Sequence, residues 1–137
     1  MTSVGSAGSP NQYYTETVTV SQSVNATNGQ TIPILAVQNG WQIHNVVLAT
    51  AGCGTSVTMS VGDTNVAARY ISAQSVASAG YVQMGATPTQ SSNLPANGPG
   101  FTYTANDTIQ ITVGGANFSA ATVVVVTVTF SRTFGNT

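Results

Sequence analysis

The chain has 137 residues, of which only Glu16, Asp63, Arg69, Asp107 and Arg132 carry a charged side chain; there is no lysine, and Cys53 is the single cysteine. A net charge of −1 and a pI near 5.4 exclude a basic stripe for nucleic acid, since two arginines neutralise hardly any phosphates, and one cysteine excludes an internal disulfide or a cysteine-cluster metal site. Globular domains draw about a quarter of their residues from Asp, Glu, Lys and Arg, against 4% here, so this surface is made of hydroxyls, amides and methyls, which exchange water for a protein neighbour at small net cost where an unpaired ion would lose several kcal/mol.

Met1 to Gln12 is a run of small residues with Pro10 and no period, which predicts a flexible or extended N-terminal arm able to reach a neighbour. It has neither the basic n-region nor the apolar h-region of a secretory signal, so synthesis in the cytoplasm is expected. Residues 13–137 are expected to form one domain, long enough to bury a core without staples. From Tyr13 onward β-branched residues alternate with polar ones and are interrupted about every ten residues by Gly, Asn or Pro, the pattern of a sandwich or barrel.

Tyr13 to Val20, Gln30 to Val37 and Trp41 to Ala49 are predicted strands, with Asn28-Gly29 and Asn39-Gly40 as turn dipeptides. Thr55 to Gly62 points Val57, Met59 and Val61 inward and stops at Gly62-Asp63. Val66 to Ser78 has weak β character because of Ala67, Ala68, Arg69 and Gln74, and one short helical turn is expected there. Tyr81 to Met84 is a further strand. Thr87 to Gly100 contains Pro88, Pro95 and Pro99, cannot continue a central strand, and reads as an exposed loop. Asp107 to Val113 points Ile109, Ile111 and Val113 inward and ends at Gly114-Gly115. Ala121 to Arg132 is the clearest strand: Thr122, Val124, Val126, Val128 and Phe130 share one face, while Val123, Val125, Thr127 and Thr129 share the other. About eight short antiparallel strands without an amphipathic helix predict an all-β sandwich, a jelly roll or related Greek key. The longest apolar runs, Ile32 to Val37 and Val123 to Val126, fall far short of the ~20 residues of a membrane-spanning helix.

Chemistry is thinly supplied. Asp63 and Asp107 both stand where a turn needs a side-chain acceptor. Glu16 alternates with Tyr14 and Val18 and reads as a solvated edge residue or the partner of an arginine. His44 has no second His or Cys beside it, so no metal site is expected, and no Gly-x-Ser-x-Gly elbow marks a nucleophile. A phosphate-cradling loop would need the lysine that is missing. Phe101 and Tyr103 are expected to pack across strands rather than form an open platform. No catalytic residue and no cofactor are expected.

Four segments together resemble the small jelly-roll decoration, or cement, proteins of tailed bacteriophage capsids: Trp41 to Leu48, Thr55 to Asp63, Ala68 to Ala73, and Phe101 to Arg132. In the last of these, Tyr103-Thr104-Ala105-Asn106-Asp107-Thr108-Ile109, followed by Gly114 and a Val-rich strand ending in Phe130-Ser131-Arg132, is similar to the closing half of such proteins. The resemblance implies a non-enzymatic virion protein on the capsid exterior that bridges major capsid protein subunits and stabilises the shell, itself a small homo-oligomer, a dimer or trimer, with no nucleic-acid or membrane partner. Contact material is expected in the N-terminal arm and the residues leaving it, Tyr13 and Tyr14, in exposed strand-edge backbone, and in the outward apolar row Val123 and Val125. The alternative is a receptor- or glycan-binding module of a phage head or tail fibre, which would use Trp41 and the tyrosines in an open groove. A pilus or surface-layer subunit ranks below these, and an enzyme is the least supported.

Overall fold

The computed structural model describes residues 12–84 and 101–134, and these form nine strands in two antiparallel sheets packed face to face. The strands are β1 (Gln12–Ala26), β2 (Thr31–Val37), β3 (Gln42–Thr50), β4 (Thr58–Gly62), β5 (Ile71–Ser75), β6 (Gly80–Gln83), β7 (Phe101–Thr102), β8 (Asp107–Gly114) and β9 (Phe118–Phe134). One sheet has the order β1-β9-β3-β6, with the two-residue β7 added beside β3; the other has the order β2-β8-β4-β5. Apart from the β4–β5 hairpin and the short β7, successive strands cross from one sheet to the other, so the chain winds around the core as a jelly roll.

The alternation read from the sequence is the alternation of burial. On β9, Val124, Val126, Val128 and Phe130 are buried, and they face Ile109, Ile111 and Val113 of β8 across the core. Ile43, Val46 and Leu48 of β3 and Met59 and Val61 of β4 close the same layer, with Tyr70 and Ile71 beneath them. Fully burying an aliphatic side chain contributes about 1.5–3 kcal/mol, so this row is a large stabilising contribution to the fold. Turns form where glycine permits them: Gly29 (φ 91°) and Gly40 (φ 95°) are the third residues of turns closed by Gln30 N–H to the Thr27 carbonyl and Trp41 N–H to the Gln38 carbonyl, and only the glycine of each has positive φ, as a type II turn requires.

Three expectations are revised or left aside. The segment around residues 66–78 is not helical: Val66 to Tyr70 is a turn, and Ile71–Ser75 is β5, an edge strand whose polar residues face solvent while Ile71 is buried. Phe101–Thr102 adds a ninth strand, too short to carry an alternation signal. Of the predicted arm, only Gln12 is described, and it opens β1; residues 1–11 and the loop predicted over Thr87 to Gly100 lie outside the described residues.

Candidate interaction surface

All five charged side chains lie at one end of the sandwich. Register fixes this placement: Glu16 opposes Phe130 and Arg132 opposes Tyr14, Asp107 opposes Val37, and Asp63 and Arg69 flank the end where Val61 pairs with Ile71 and Gly62 pairs with Gln110. The turn of Asn39 and Gly40 joins the two sheets at this same end, tied down by the Gly40 amide donating to the Tyr103 carbonyl at 2.8 Å. The turns at the opposite end, around residues 27–30, 51–57, 76–80 and 115–117, contain no charged residue.

Every ion at the charged end has a partner within the chain. The Asp63 carboxylate, whose side chain is fully buried, accepts from the Arg69 guanidinium, from the Tyr103 hydroxyl at 2.9 Å, and from the amides of Asn65 and Val66 at 3.0 and 2.8 Å. The Tyr70 hydroxyl donates to that of Tyr103 at 2.7 Å, completing a line of three buried polar groups. Burial is the main reason both phenols are held protonated above the ordinary tyrosine range, and the nearby Asp63 carboxylate adds to it. Arg69 also lies over the Phe101 ring, 3.8 Å from its centroid, and Phe101 meets Tyr103 edge-on. Gly62 makes room for this loop, since a Cβ there would lie 2.2 Å from the Val66 carbonyl oxygen.

Asp107 fixes the loop from its other side, accepting from the Thr64 hydroxyl at 2.6 Å and the Asn65 side-chain amide at 3.0 Å. Its slight burial would raise the carboxyl pKa, but hydrogen bonds from Thr64, the Thr108 amide and Asn65 together hold it below the usual range. Glu16 and Arg132 form a half-exposed pair at 2.7 Å, and Arg132 reaches over Trp41, which is stacked on Phe130 at 4.2 Å. Asp63 and Asp107 are thus turn acceptors, as the sequence implies, and Glu16 has found an arginine of its own chain.

His44 is the extra residue of a β-bulge between Ile43 and Asn45, which turns its ring toward Ser131, with Nε2 and Oγ 2.9 Å apart. A hydrolytic triad would need a carboxylate on the imidazole. Glu16 is instead bound to Arg132, Asp63 to Arg69, and Asp107 to Thr64 and Asn65. Cys53 is half-buried in the turn after β3, and burial raises its thiol pKa against the opposing hydrogen bond with Thr122. Among the described residues no group of three His, Cys, Asp or Glu side chains converges as a metal site would require.

The outer face of the β1-β9-β3-β6 sheet is uncharged over its width. Its cross-strand rows read Thr17-Thr129-Asn45, Thr19-Thr127-Val47-Gln83, Ser21-Val125-Ala49-Tyr81 and Ser23-Val123. The threonine hydroxyls pair with one another, Thr17 with Thr129 at 3.1 Å and Thr19 with Thr127 at 3.2 Å. Val123 is 47% exposed and Tyr81 78% exposed, whereas Val125 is half-buried between its neighbours. Val123 and Val125 therefore project outward from this face. Tyr13 and Tyr14 lie on β1 opposite Thr133 and Arg132, at the charged end and apart from the valines. The aromatic groove of the glycan reading is not formed by Trp41, Phe101 or Tyr103, because Trp41 is stacked on Phe130, Phe101 is covered by Arg69, and Tyr103 is buried. What sequence reasoning missed is the gathering of the charges at one end, which depends on strand register.

No protein-family model matches the sequence, and no curated protein does. Three solved structures with the same fold are of phage capsids. A chain of the cyanophage Pam1 capsid asymmetric unit aligns over 96% of this chain and 93% of its own, with 23% identity and a TM-score of 0.67. A chain of the Ralstonia phage GP4 capsid aligns over 96% and 90%, with 13% identity and a TM-score of 0.59. One from the acidic stable capsid of Helicobacter pylori bacteriophage KHP30 aligns over 87% and 93%, with 15% identity and a TM-score of 0.56. Near-complete coverage in both directions means that the likeness extends over the whole sandwich, and at these identities what it establishes is a shared fold.

Proposed function

We propose that the protein is a non-enzymatic virion component, a decoration or cement subunit that binds the outside of an icosahedral phage shell, bridges neighbouring major capsid protein subunits and stabilises the particle. The observation that carries this reading is the confinement of every charged side chain to one end, leaving the β1-β9-β3-β6 face and the opposite end free of charge. Burying such a surface costs no ion desolvation, so shape complementarity and apolar contact suffice. The three solved structures described above are of phage capsids, which supports the same reading.

The contact is assigned to the outer face, with Val123, Val125 and Tyr81 as its apolar part and the threonine rows around them. Tyr13, Tyr14 and the predicted arm before them belong to a second contact region in this reading, and residues 13–137 to the single folded body. Binding to the assembled shell and not to its separated subunits stabilises the assembly by mass action. Particles lacking this protein should therefore open at a lower temperature than complete ones, and adding the purified protein back should restore the difference. Val123→Asp, which places a charge in the middle of the face, should fold normally and fail to restore it. Equal melting of particles with and without the protein would refute the proposal.

A further inference from the structure

The four outer edges of the two sheets differ sharply. β2 has Pro33 and a register shift beside it, β5 has five residues with a register shift in its pairing and Ala73 in left-handed backbone, and β6 has four residues. Short length, proline and bulges are the usual devices by which an edge strand avoids joining another sheet. β1 is long and has no proline, and its one register shift, between Val24 and Ala26, lies at its very end. It runs for 15 residues, about 50 Å of chain, and pairs with β9 in one unbroken register from Gln12↔Phe134 to Val24↔Thr122. Its other side pairs with no strand among the described residues. There every second residue turns both its N–H and its C=O outward. The strand has no lysine, proline or glycine, and its one charge, Glu16, is occupied by Arg132.

We propose that this edge is a dimer interface, β1 pairing antiparallel with β1 of a second copy across a two-fold axis at Thr19. The occupant follows from the self-complementarity of the strand. Thr19 is the midpoint of Gln12–Ala26, so an axis there engages the strand over its full length. In that register Thr17 faces Ser21 and Thr15 faces Ser23, hydroxyl against hydroxyl, extending the Thr17–Thr129 and Thr19–Thr127 rows across the axis. On the other side of the strand Val18 faces Val20 and Glu16 faces Gln22, so no like charges meet. Val18, Val20, Gln22 and Val24 are only half-buried in the single copy, and a neighbouring strand would cover their open side. The result is one continuous eight-stranded sheet, β6-β3-β9-β1-β1-β9-β3-β6, with a single uncharged outer plane. An isologous contact of this kind closes on itself and does not propagate into fibres.

Sedimentation of the purified full-length chain tests this without any particle, so its outcome is separable from that of shell binding. The expected species is a dimer. Thr19→Lys places two ammonium groups directly opposite each other and should give a folded monomer with an unchanged strand spectrum; Thr19→Glu should do the same, and mixing the two variants should restore a heterodimer. Thr19→Cys in a Cys53→Ser background should form a disulfide-linked dimer on mild oxidation, whereas Val123→Cys in that background should not. A wild-type monomer overturns the proposal, including one whose β1 amides resist hydrogen exchange because another part of the chain covers them. So does any oligomer that Thr19→Lys leaves intact.

Discussion

The two ends of the sandwich are held by different means. At the charged end side chains do the fastening: Asp63 gathers Arg69, Tyr103 and two backbone amides, and Asp107 ties down Thr64 and Asn65. At the uncharged end the fastening is mostly backbone. The Gly29 amide donates to the Val113 carbonyl at 2.7 Å and the Cys53 amide to that of Val76 at 2.7 Å, while Gly52, Gly54 and Gly115 adopt positive φ. Charges can thus be kept in a small domain by satisfying them internally and placing them together. A surface with no ions on it is then left for contact, and the turns there are closed by the backbone with help from neutral side chains, as where Asn117 Oδ1 accepts from the Asn28 amide at 2.7 Å.

This contrast predicts which substitutions hurt where. Asp63→Ala should have the largest effect, because it leaves the Arg69 cation and the Tyr103 hydroxyl without their acceptor in a buried site; a loss of about 3–5 kcal/mol in urea unfolding is expected. At the other end Gly115→Ala should cost about 2–3 kcal/mol, since φ is +78° there and a Cβ would meet the Ser56 carbonyl oxygen at 1.9 Å. Gly29→Ala, where φ is +91° but nothing lies within 4 Å, isolates the conformational part and should cost about 1 kcal/mol. If the two glycine variants proved equal, close packing of the 51–57 turn against Gly115 would play no part. Tyr70→Phe removes one hydroxyl from the buried line and should also cost about 1 kcal/mol.

The smallest effect expected is on acid stability. Because the folded-state pKa of Asp107 is held below its unfolded value, its contribution is complete above about pH 4 and is lost as the pH falls through the folded value. Asp107→Asn should therefore flatten the acid limb of the stability curve slightly, and an unchanged limb would show that Thr64 and Asn65 do not select the ionised form. The group is largely exposed, so solvent screening keeps the change small.

Much of this architecture was legible in the sequence, and the gaps have physical causes. β9 and β8 were readable because a strand with one face in the core alternates strictly, as Val124, Val126, Val128 and Phe130 do. β5 was not, because an edge strand packs few of its residues, and Arg69 and Gln74 weaken the pattern around it. Asp63 was readable as a turn acceptor because the Asn65 and Val66 amides it accepts from lie two and three residues on, whereas of the donors to Asp107 only the Thr108 amide is local and Thr64 and Asn65 are brought to it by the fold. The line from Tyr70 through Tyr103 to Asp63 was not, since it joins residues 33 and 40 positions apart and depends on how the two sheets are stacked. For the same reason composition showed that charges were few, while only register showed that they were gathered at one end. The open side of β1 was likewise invisible, because pairing partners cannot be read from the strand alone.

The central claim is that the chain meets its partner through surface without ions. Its most direct test is the affinity of the purified protein for particles stripped of it, measured from low salt to molar salt. Nonionic contact predicts an affinity that holds or rises as salt increases, because screening removes nothing while apolar burial is unaffected or favoured. A steep loss of binding at moderate salt would place ion pairs at the contact and contradict the account.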